Sequence, residues 1–202
     1  MRFASSATNL VGIMPDSNPK FLKPCVFFDR DGVVNQSPGP GYVLRWEDFH
    51  FNPGFIDAFK TVKANGYLAV IITSQKGVGK GLMPLSELNR IHENMQQFIE
   101  SETGERFDGI FAFTGLPDCP HQPKPNPEMI FAAQTALSLD LKASWMIGDA
   151  DRDILMGKAA GLGGTIRIKT DKPIDPEAIA NHTLTNIIDL SNILTDKLSA
   201  GN

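Results

Sequence analysis

Short runs of continuous apolar residues alternate along this chain with stretches in which apolar residues recur every three or four positions. The runs Cys25–Phe28, Tyr67–Thr73, Gly109–Phe113, Ser144–Ile147 and Thr165–Ile168, with a later one near Leu184–Ile187, predict β-strands. Their nearly unbroken hydrophobicity is that of parallel strands covered on both faces. Between them, Phe55, Ile56, Phe59 and Val62 fall on one face of a helix, with Pro53 in its first turn and Gly66 as its stop. Leu85, Leu88, Ile91, Met95 and Phe98 mark a second helix and read as its core face. A third starts with Asn126 as N-cap and Pro127 in the first position. A shorter helix stops at Gly161, and a last one runs near Leu190–Leu198. This order predicts an α/β fold: a three-layer, Rossmann-like domain around a central parallel sheet. In such sheets the ligand lies beyond the carboxyl ends of the strands.

Composition narrows the picture. At 202 residues the chain suits one domain, burying about 70% of its unfolded surface. We expect that domain over 23–202, preceded by an extension over residues 1–22. The apolar stretch Leu10–Met14 in the extension is short for a secretion signal, and no run is long enough to cross a bilayer. Cys25 and Cys119 cannot build a disulfide framework, so a reducing cytoplasm is the expected compartment. A formal charge of −4 without a basic run gives no footprint for nucleic acid.

The chemistry gathers at predicted strand ends. Asp29 and Asp31 follow the first strand in "CVFFDRDGVVN", and Thr73 ends "YLAVIIT". Lys124 precedes a helix in "HQPKPNP", and Asp149 and Asp153 sit in "WMIGDADRD". Parallel strand tips converge on one crevice, which would then hold a carboxylate cluster, a hydroxyl and an ammonium. That set suits phosphoryl transfer. Mg²⁺, a hard cation preferring oxygen, relieves the repulsion between carboxylates. The lysine and the hydroxyl take up phosphoryl charge. One aspartate can attack phosphorus, and another two residues on can exchange a proton with the leaving alcohol and then with water. The like-charged neighbour is expected to hold that second carboxyl protonated.

Three lookalikes fail on the residue types at their required positions. "SQKGVGKG" has Ser74 for the first glycine of a P-loop and Gly81 for the hydroxyl residue that holds Mg²⁺. "DADRDI" has Ile154 where a calcium loop turns on glycine, and "DRDGVV" has Val34 there.

With these motifs in order, the chain resembles the haloacid dehalogenase superfamily of aspartate-nucleophile phosphatases from about Cys25 to Ile168. The resemblance implies Asp29 as nucleophile, Asp31 as general acid/base, and Thr73 and Lys124 as phosphate ligands. It also implies Mg²⁺ held by Asp29, the Asp31 carbonyl and Asp149, with Asp153 supporting. Within the superfamily, "DRDGVVN", Gly41–Val43, "TSQKGVGKG" and "KPNPEM" are similar to the group of D,D-heptose bisphosphate and histidinol phosphatases, which lack a large cap domain. That implies a small phosphorylated metabolite as partner, no membrane, and a monomer or small homo-oligomer. Arg45, Ser74, Gln75, Lys76 and Lys80 are the expected substrate contacts.

The chain also departs from the group. Its four-ligand zinc loop is reduced to Cys119 and His121, too few for a tetrahedral structural site, so no structural Zn²⁺ is expected. The arginine before the catalytic lysine is replaced by Gln122 and Pro123, and another arginine by Lys80, which loses bidentate anion binding. A histidinol-phosphate or nucleotide phosphatase on the same scaffold therefore stays open, as does a receiver-like module that only accepts a phosphoryl group. Asp31 favours turnover over such a switch.

Overall fold

The computed structural model describes residues 22–171 and 173–199; except for Leu22, the expected extension lies outside them. Six parallel strands form one sheet in the order β3-β2-β1-β4-β5-β6. These are β1 (Cys25–Phe28), β2 (Leu68–Ser74), β3 (Gly109–Phe113), β4 (Trp145–Gly148), β5 (Gly164–Ile168) and β6 (His182–Leu184). The helices are α1 (Phe55–Ala64), α2 (Leu85–Thr103), α3 (Glu128–Leu137), α4 (Asp151–Ala159) and α5 (Leu190–Ser199).

Strand pleating explains the unbroken apolar runs. Successive side chains point to opposite faces, so Val26 and Phe28 face α1, α2 and α5, while Cys25 and Phe27 face α3 and α4. Both faces are dry, and every residue of β1 is fully buried. Behind the tip of β1 the Phe28 ring packs edge-on against Phe55 at 5.3 Å and Phe107 at 6.4 Å. The chain moves outward from β1 through β2 and β3, then returns to the other side of β1 and runs outward through β4, β5 and β6. The reversal falls between β1 and β4, and a crevice opens there at the carboxyl ends.

Several boundaries differ from expectation. The helix α1 starts after Gly54, so Pro53 precedes its first turn. Asn126 does cap α3 through Oδ1, which accepts the Glu128 N–H at 2.9 Å, but Pro127 occupies the N-cap position. The last strand lies earlier than Leu184–Ile187. Asn186 accepts the Ile188 N–H at 3.0 Å and turns residues 187–189 into a single 3₁₀ turn. Phe98 is not core: it is 38% exposed and stacks on Phe51, while Ile99 and His92 take buried places on α2.

The helix α4 is pressed onto the sheet at Gly157, where an added Cβ would lie 2.9 Å from both Met146 Cβ and Thr165 Cγ2. Overpacking of this kind is costly. Gly157→Leu should therefore lower stability by about 1–3 kcal/mol, read as a reduced urea midpoint. An unchanged midpoint would contradict the close docking of α4.

Candidate active site

The crevice is assembled from four connections. Asp29 leaves the end of β1, its backbone N–H still donating to Ile147 O at 2.9 Å, which locks the β1 tip against β4. Thr73 lies near the end of β2. Lys124 lies on the segment entering α3, and Asp149 follows β4 directly. Asp153 sits in the first turn of α4, where its Oδ2 accepts the Ala150 N–H at 3.0 Å.

The centre is a buried charge cluster. Lys124 Nζ lies 2.7 Å from Asp29 Oδ1 and 2.5 Å from Asp153 Oδ1, all three side chains being 3% exposed or less. Oxygens of Asp29, Asp149 and Asp153 come within 4.8 Å of one another. Among the described residues this is the one such cluster of metal-ligating side chains. Burial, then the neighbouring Asp153, pushes the Asp29 carboxyl up to about 7 against the pull of Lys124. Burial also weakens the Lys124 charge, but Asp153 and Asp29 outweigh it and hold its pKa above the ordinary lysine value.

Asp31 does not match the expectation of a carboxyl held protonated. Burial pushes it up, but Arg30, with hydrogen bonds from Gln75, Asn35 and Arg30, outweighs that and holds it below the usual carboxylate range. Its like-charged neighbour is less important because Asp29 is already paired with Lys124, whereas Arg30 touches Asp31 directly at 3.0 Å.

The remaining expected residues divide. A cavity of about 220 Å³ above the cluster is lined by Asp31, the 37–42 loop, Ser74, Lys76, Lys124, Asp149 and Arg152. Ser74 and Lys76 thus face the crevice. Thr73 is buried, its Oγ1 accepting from Gln75 Nε2 at 2.8 Å. Gln75 is fully buried behind Asp31, donating to its Oδ2 at 2.9 Å, so it braces the site instead of lining the cavity. Lys80 lies over the Tyr42 ring at 5.4 Å. Arg45 is not at the cavity; it pairs with Asp48 on the surface. Cys119 accepts the Thr114 N–H and His121 contacts Glu128 at 3.2 Å, so both side chains are engaged within the chain.

The sequence reading missed Arg152 and Arg30, and read His92 as surface or satisfied core, which its burial and its contact with Arg30 bear out. Arg152 was visible as a cation inside the acidic "DADRD" motif. His92 occupies the apolar stripe of α2, between Ile91 and Met95, where a histidine needs a partner. Nothing in the sequence marks Arg30 as fully buried. A wider cleft of about 600 Å³ lies away from the carboxylates, between α2, β3 and the 114–121 segment, with His92 on its wall.

Comparison with known proteins agrees with this geometry. A family model described as HAD-hydrolase-like matches residues 121–189. The chain is 34% identical over 188 residues to the D-glycero-beta-D-manno-heptose-1,7-bisphosphate 7-phosphatase of Pasteurella multocida, covering 86% of this chain and 97% of that protein. It is 32% identical over 183 residues to the protein of the same name from Escherichia coli K12, covering 83% and 91%. A crystal structure of D,D-heptose 1,7-bisphosphate phosphatase from B. bronchiseptica, complexed with magnesium and phosphate, superposes with a TM-score of 0.74 at 23% identity. It covers 86% of this chain and 99% of that one, and supports the fold. The chain belongs to the haloacid dehalogenase (HAD) superfamily of phosphatases, which hydrolyse phosphoric monoesters.

Proposed function

We propose that this chain is a Mg²⁺-dependent phosphatase acting on a small sugar phosphate, D-glycero-D-manno-heptose 1,7-bisphosphate or a close relative, through an aspartyl phosphate on Asp29. The observation that carries it is the state of Asp29. One oxygen is paired with Lys124, and the other, Oδ2, is buried without a hydrogen-bond partner. A buried carboxylate oxygen with nothing to accept from is costly unless a ligand completes it.

The donor set fits a hard divalent cation. All the grouped ligands are carboxylates, the oxygen donors that such an ion prefers. Asp29 and Asp149, with the Asp31 carbonyl, would hold Mg²⁺, and Asp153 would support it by orienting Lys124. When bound, the ion would neutralise phosphoryl oxygens and keep Asp29 ionised. Gly32 protects this arrangement: its φ is +95°, and a Cβ there would lie 2.4 Å from Asp149 Oδ2.

The chain's own groups then carry the reaction. Asp29 attacks phosphorus, the bond to the ester oxygen breaks, and Asp31 gives that oxygen a proton. Water next attacks the aspartyl phosphate and passes a proton to Asp31 as the bond to Asp29 breaks. Because Asp31 is ionised at rest, its first proton arrives with a monoanionic phosphate, whose charge also opposes the field of Arg30. Lys124 and the Thr73 hydroxyl meet the phosphoryl oxygens. Lys76 and Arg152, exposed cations on the cavity wall, would meet a second anionic group of the substrate. The relatives' substrate is a bisphosphate.

With Mg²⁺ the purified protein should release phosphate from heptose bisphosphate faster than from histidinol phosphate, and EDTA should stop both. Release from neither would overturn the proposal. Asp29→Asn should lower turnover by about 10⁴-fold with the fold retained by circular dichroism; a variant that retains activity removes Asp29 as nucleophile. Gly32→Ala should raise the Mg²⁺ concentration for half-maximal rate by about tenfold or more. An unshifted Mg²⁺ titration would show that Asp149 has no part in holding the ion.

A further inference from the structure

We propose that Arg30 and His92 are positioning residues for Asp31: His92, from α2, fixes the guanidinium that in turn fixes the proton-transferring carboxylate. This rests on the reading of Asp31 as the acid/base. Arg30 is fully buried, and both edges of its guanidinium are used. Nε donates to Asp31 Oδ1 at 3.2 Å, and Nη2 donates to Oδ1 at 3.0 Å and Oδ2 at 3.2 Å. On the other side Nη1 meets His92 Nε2 at 3.3 Å, and the group lies 5.9 Å from the Phe49 ring centre.

The chemistry of the contact fixes the tautomer. A guanidinium only donates, so Nε2 accepts and the His92 proton resides on Nδ1. Burial and then Arg30 hold His92 neutral, pushing it down to about 3. An imidazole on the apolar stripe of α2 is costly without a partner, and Arg30 is that partner.

Asp31 is thereby gripped from behind. Besides Arg30, Asn35 Nδ2 donates to its Oδ1 at 3.0 Å and Gln75 Nε2 to its Oδ2 at 2.9 Å. Its side chain stays 22% exposed toward the crevice, leaving one face for the reacting oxygen. The Arg30 backbone N–H also donates to Asp29 Oδ1 at 2.7 Å, so one residue orients both carboxylates. Proton transfer tolerates little misplacement.

The test compares His92→Leu, which removes the acceptor, with His92→Gln, which can restore one. With an alkyl phosphate, H92L should lose about 10- to 100-fold in kcat while KM moves less than about threefold. With an aryl phosphate, whose leaving group needs no proton, H92L should show a burst of about one aryl alcohol per chain and then slow turnover, because water attack still needs Asp31. H92Q should recover to within about threefold of wild type on both substrates. H92L kinetics equal to wild type would overturn the proposal. So would equal losses in both variants without a burst, which is the mark of a packing role. If H92L does not fold by circular dichroism, His92→Ala is assayed with and without 4-methylimidazole, since its hole opens on the α2 cleft. Restored turnover supports the proposal and unchanged turnover overturns it. If wild type itself releases no phosphate, the enzymatic reading falls first.

Discussion

Two carboxylates and one ammonium, all out of water, hold the centre of this molecule together. Lys124 reaches Asp29 and Asp153 at once from the segment before α3. Each of those charges alone would be expensive to bury, and removing one would strand the others. The triad therefore ties three separate pieces of chain to one point: the tip of β1, the entry to α3 and the first turn of α4. It also meets Asp149 in a cluster of three carboxylates, a donor set that suits a divalent cation.

The fold makes the triad possible by where the chain reverses. Since β1 lies between β2 and β4, the tips that carry Asp29 and Asp149 are neighbours, and Thr73 stands on the other side. Dry faces on both sides of the sheet keep those tips rigid, with Phe28 and its ring partners directly behind Asp29. Close approach completes the arrangement. Gly32 leaves room for the Asp149 carboxylate, Gly148 leaves room for the Asp153 side chain, and Gly157 lets α4 sit close against the sheet.

Much of this was legible because it is written in local patterns. Apolar runs such as Cys25–Phe28 gave the strands, and Asp29, Thr73, Lys124 and Asp149 occur in an order that only a parallel sheet brings together. What was not legible depends on long-range contacts. Arg30 looks like a solvated turn residue until α2 and Phe49 cover it. The protonation of Asp31 was read from its neighbour in sequence, whereas Arg30, Gln75 and Asn35 decide it in space. Gln75 and Arg45 were taken by position as substrate contacts, yet one is buried behind Asp31 and the other is bound to Asp48 on the surface. The last strand ended earlier than expected because the Asn186 side chain takes up the Ile188 N–H and starts a 3₁₀ turn.

The central claim is covalent, and it can be seen directly. Enzyme quenched in acid during turnover, digested and analysed by mass spectrometry should carry one phosphoryl group on the peptide containing Asp29, removable by hydroxylamine as an acyl phosphate is. A phosphoryl group on any other residue, or a quenched enzyme that is never phosphorylated while phosphate is being released, would contradict the account.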